Sequence, residues 1–66
     1  MAELPIDRGR LSSLSSTLHD IARELTELAD QLARVKRDDA ASRLYEAERG
    51  LTTASRKLDQ VRSILG

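Results

Sequence analysis

Apolar residues recur along this chain at alternating spacings of three and four. Leu11, Leu14, Leu18, Ile21, Leu25, Leu28, Leu32 and Val35 form one series, and Ala40, Leu44, Ala47, Leu51, Ala54, Leu58, Val61 and Leu65 form a second. The mean spacing is about 3.5 residues, the period at which a helix keeps one narrow stripe against a partner helix. Two helices are therefore predicted. The step of five between Val35 and Ala40 breaks the phase, and a helix continuing through it would put Asp39, Ser42 and Glu46 on the stripe. A turn at the break gives an all-α fold, an antiparallel two-helix hairpin of coiled-coil type. Helix 1 is expected over about 8–36, the turn over about 36–39 and helix 2 over about 40–65. The whole chain, 1–66, reads as one such domain. The competing arrangement is a continuous rod whose stripe changes faces.

The boundaries have local chemistry behind them. Pro5 disfavours helix before it. Asp7 can accept from the free N–H groups of a first turn, and Ile6 and Leu11 stand at the spacing of a hydrophobic staple. Lys36-Arg37-Asp38-Asp39 puts basic residues where one helix ends and acidic residues where the next begins, both complementary to the helix dipole. Asp38 or Asp39 is the expected cap of helix 2, and Gly66 is a natural stop. The turn itself holds neither Gly nor Pro.

With Leu11 and Leu44 lettered as heptad position a, every a position is Leu. The d positions are Leu14, Ile21, Leu28 and Val35 in helix 1, and Ala40, Ala47, Ala54 and Val61 in helix 2. Large residues on one helix opposite small ones on the other suit close antiparallel packing. All sixteen a and d residues are accordingly expected to close the hairpin on itself. Ala22 and Ala29 widen the stripe of helix 1 at position e, and Ala41, Gly50, Ser55 and Ile64 flank that of helix 2. A stripe this wide suits a bundle better than a pair. Two hairpins are thus expected to associate into a four-helix bundle, a homodimer meeting through Ala22, Ala29, Ala41, Tyr45, Gly50 and Ile64. Another helical protein would satisfy the same surface. Gly50 costs about 1 kcal/mol against Ala in a helix interior, and close approach of a neighbouring helix would explain its presence.

Composition strengthens the case for association. A chain of 66 residues buries only about 60% of the surface it exposes when unfolded. Disulfides and thiolate metal sites are excluded, since there is no Cys. The lone His19 reads as a surface residue, so no metal or cofactor is expected. Tyr45 is the single aromatic group, whereas ligand clefts usually have aromatic walls. That weighs against an enzyme. Lys and Arg together number 11, as do Asp and Glu, and the balance holds within 1–10, 11–37 and 38–66 taken separately. The chain has no basic excess for nucleic acid or anionic lipid. No apolar run approaches the roughly 18 residues of a membrane span. The N-terminal residues do not resemble a signal peptide, which makes cytoplasm the default expectation.

The remaining polar residues read as solvated surface. Asp30–Arg34 and Asp39–Arg43 are favourable i,i+4 pairs worth a few tenths of a kcal/mol each. Ser12, Ser13, Ser15, Ser16 and Thr17 read as a weak, fraying helix start. The function expected is non-enzymatic: a helical-hairpin module for protein–protein interaction, acting by self-association or helix docking. The alternative is a small regulator that takes an anionic ligand or a partner between hairpins, with Arg49 or Arg56 reaching the anion.

Overall fold

Asp7 opens the first helix. Its backbone is extended and its carboxylate accepts from the Arg10 N–H at 3.0 Å, an N-cap. The computed structural model describes residues 7–65. Pro5, Ile6 and Gly66, with the staple and the stop expected of them, lie outside the described residues. Two helices follow, α1 (Arg8–Arg34) and α2 (Asp38–Leu65). They pack against each other as a hairpin, not as a rod. The serine run lies inside α1 without a break. Thr17 Oγ1 donates back to the Ser13 carbonyl at 2.9 Å, a bond that keeps the hydroxyl satisfied within the helix.

The turn is closed by backbone geometry rather than by a glycine. Arg37 N–H donates to the Leu32 carbonyl at 2.8 Å and Lys36 N–H to the Ala33 carbonyl at 3.0 Å. These are the two bonds of a Schellman motif. The motif needs a left-handed residue, and Lys36 supplies it with φ of 62°. At the start of α2, the Arg37 carbonyl accepts from Ala41 N–H at 3.0 Å. Asp38 and Asp39 therefore sit in the first turn of α2 instead of capping it, where their charge still complements the dipole. The Arg37 guanidinium lies 3.3 Å from Asp39 and, with the Ala40 N–H, holds that carboxyl below the usual carboxylate range.

The line along which the helices meet differs from the expectation. The buried residues are Ser15, Ala22 and Ala29 on α1 and Ala41 and Ser55 on α2. The Ser15 and Ser55 hydroxyls touch at 2.9 Å. Seven residues along each helix from that pair, Ala22 comes level with the half-buried Glu48. Seven more bring Ala29 level with Ala41. All of these are e positions. The Leu residues at a are half-buried beside this line, except that Leu65 is exposed. The d residues of α1 turn outward: Leu14 is 48%, Ile21 41%, Leu28 48% and Val35 67% exposed. The closest contact thus runs along e with the a residues beside it rather than along a and d, and Ala22, Ala29 and Ala41 are buried within the hairpin. The physical reason is size. Two helices joined by a short turn approach most closely along their smallest side chains, and the e lines are small at five of their six contact positions.

At the open end, the Arg8 guanidinium donates to the Leu65 carbonyl at 2.6 Å. A cation from the start of α1 thereby satisfies a free carbonyl at the end of α2, the favourable sign for a helix C-terminus.

Candidate functional site

With e pointing inward on both helices, a stands about 40° to one side and d about 100° around. Because the helices are antiparallel, a and d of both fall on the same side of the hairpin. A shallow cleft lined by Leu28, Gln31, Leu32 and Val35 from α1 and Leu44 from α2 marks this shared face. The sixteen-residue seam is therefore one apolar face of the hairpin, and none of its positions is charged.

The face has relief. Its α1 edge is a ridge built by Leu14, Ile21, Leu28 and Val35. Its α2 edge is a trough, with Ala40, Ala47 and Ala54 at d and Gly50 beside them at g. A side chain added at Gly50 would meet nothing within 4 Å, so no close helix contact within the hairpin accounts for the glycine. Gly50 and Ile64 occupy the outer rim of the face, and Ile64 is 82% exposed.

The opposite face is polar. Ser15 Oγ donates to Asp59 Oδ1 at 3.1 Å, and Thr52 donates to Glu48 at 3.0 Å. The Tyr45 hydroxyl donates to Asp30. That carboxylate holds the phenol protonated and pushes its pKa above the ordinary value, with desolvation adding to the effect. Asp30 is thus engaged by Tyr45 across the hairpin, not by Arg34 as expected. Arg43 likewise pairs with Glu46 at 3.3 Å rather than with Asp39. The ion pairs among the described residues are exposed and local in sequence, of the kind worth at most about 1 kcal/mol.

No family model, curated protein or solved structure matches this chain. The site is consequently read from its own geometry. Among the described residues there is no group of His, Cys, Asp and Glu that could hold a metal ion, and no helix long and apolar enough to cross a membrane. The shallow cleft beside Arg49 also holds Asp38, Glu46 and Glu48. Three carboxylates around one guanidinium disfavour an anion there, and the charge balance gives the Arg49 or Arg56 reading no support.

Of the residues expected to meet a partner, Ala22, Ala29 and Ala41 are inside the hairpin. Tyr45 is half-buried on the polar face, and only Gly50 and Ile64 border the apolar one. The Ser15–Ser55–Asp59 cluster was not singled out by sequence reasoning. Its signal was available: small residues recur every seven positions at 15, 22 and 29, and stand fourteen apart at 41 and 55 with Glu48 between them.

Proposed function

We propose that this chain is a non-enzymatic helical-hairpin interaction module that works by offering its apolar face to other helices, in a four-helix assembly. One observation carries the reading. A ridge of four large aliphatic residues stands outside a hairpin whose own buried core is three alanines and two serines. Fully burying a Leu or Ile side chain is worth roughly 1.5–3 kcal/mol, and these side chains keep much of that unrealised until something covers them. An uncharged face bounded by a polar one is also the arrangement that marks docking sites on soluble domains.

A paired substitution tests this. The tagged chain, in an extract of its native cells, should sediment above its own 7.3 kDa. Ile21→Glu combined with Leu28→Glu should return it to that mass, whereas Arg49→Glu on the polar face should not. A chain that runs as a single copy in the extract before any substitution sinks the proposal.

A further inference from the structure

We infer that the occupant of the apolar face is a second copy of this chain, lying with its turn at the same end, so that Ile21 of each copy enters the gap beside Gly50 of the other. The inference rests on the docking reading above and names the partner. Three observations lead to it.

The first is shape. Ridge and trough run side by side on one face. A two-fold axis parallel to the helices carries the ridge of one copy onto the trough of the other and leaves heights along the axis unchanged. The hairpin already sets Ile21 roughly level with residues 49–53, given the Ser15–Ser55 and Ser15–Asp59 bonds. Across the axis Ile21 therefore meets the hole bounded by Ala47, Gly50, Leu51 and Ala54, the four-residue hole that receives a knob in helix packing. The empty space at Gly50 is then where the neighbouring side chain goes.

The second is area. Helices of 27 and 28 residues are about 40 Å long, and two side by side are about 18 Å wide, so the face measures roughly 700 Å². A stable interface buries about 800 Å² on each partner. A lone helix would cover half of this width, whereas a second hairpin covers all of it.

The third is charge. The rim of α1 at position g carries Arg10 and Glu24, and the rim of α2 carries Arg43 and Lys57. With turns at the same end, the α1 rim, whose Arg10 and Glu24 cancel, lies beside the rim holding Arg43 and Lys57, so the two rims meet without net repulsion. With turns at opposite ends, the α2 rims would meet each other and set basic residues against basic residues.

Thiol cross-linking tests the arrangement, since the chain has no Cys of its own. The purified chain should sediment at twice 7.3 kDa. On oxidation, a mixture of Ile21→Cys and Gly50→Cys chains should yield the mixed disulfide, while Ile21→Cys alone stays unlinked. Gly50→Leu should weaken self-association more than tenfold by filling the hole, although it improves local helix propensity. An Ile21→Cys chain that links to itself, without the mixed product, overturns the arrangement, because only opposite-end packing brings those residues together. Self-association unchanged by Gly50→Leu overturns it as well. A purified chain that stays at 7.3 kDa, yet assembles in the extract, overturns the second copy and leaves the docking reading standing.

Discussion

The e and d lines of α1 stand a quarter-turn apart on one helix and serve opposite ends. The e line, Ser15, Ala22 and Ala29, is small and buried against α2. The d line, Leu14, Ile21, Leu28 and Val35, is large and faces away from it. Both repeat every seven residues. What separates them is side-chain volume, because a two-helix contact has room for a methyl or hydroxymethyl group between the backbones, and a four-helix layer has room for Leu. Hydrophobicity alone ranks the two lines in the wrong order for closing the hairpin.

The sharpest way to break this comparison is to exchange sizes between neighbours. Ala29→Leu forces a large side chain into the closest contact and should destabilise the chain by about 1–3 kcal/mol. Leu28→Ala, one position away, should cost the hairpin less and lower the assembled mass instead. Thermal unfolding by circular dichroism, paired with sedimentation, separates the two. If, at concentrations where the chain is a single copy, Leu28→Ala melts at a lower temperature than Ala29→Leu does, the d line closes the hairpin after all.

The polar layer of the e line gives the next largest effect. Ser15→Ala strands the buried Ser55 hydroxyl and should cost about 1–2 kcal/mol, while Ser15→Ala with Ser55→Ala should be nearly neutral. A double variant as unstable as the sum of the single ones would mean the pair is not a shared bond. At the turn, Lys36→Gly should stabilise the chain by about 1 kcal/mol, since the left-handed conformation strains any side chain but not glycine. No gain in denaturant midpoint would argue against the Schellman turn.

The smallest effect lies on the polar face. The phenol of Tyr45 is held protonated by Asp30. The stability this bond gives is present at neutral pH and is lost as the pH rises through the raised pKa, above the usual phenol value of about 10. Asp30→Asn should move the phenolate absorbance titration down toward that value. An unmoved titration would remove the bond between the two helices near the turn.

Much of the fold was legible in the chain because its determinants are local. The 3-4 period, the Asp7 cap and the five-residue step from Val35 to Ala40 are each decided by neighbours in sequence, and each has its counterpart in α1, α2 and the turn between them. The orientation of the stripe was not legible. Period counting assigns the same repeat to a, d and e, and nothing local says which line meets the other arm. The turn hid its chemistry as well, since Lys36 adopts a conformation usually reserved for glycine. Tyr45 and Asp30 are fifteen positions apart, so their bond depends on the antiparallel alignment, which a sequence period leaves open.

The Ser15–Ser55 bond has a further consequence for alignment. An alanine-lined contact makes no hydrogen bond of its own, and Ala22 and Ala29 offer only methyl groups to the residues opposite. Sliding α2 by seven residues would bring Ser15 level with Glu48 or Arg62 instead of Ser55. The turn pins one end of the hairpin, and the hydroxyl pair pins the other as a key fits a single notch. A chain with both serines changed to alanine keeps its helices, its melting temperature and the alignment set by the turn, but its open end is held less firmly, and faster amide exchange from residues near Ser15 would record the loosening.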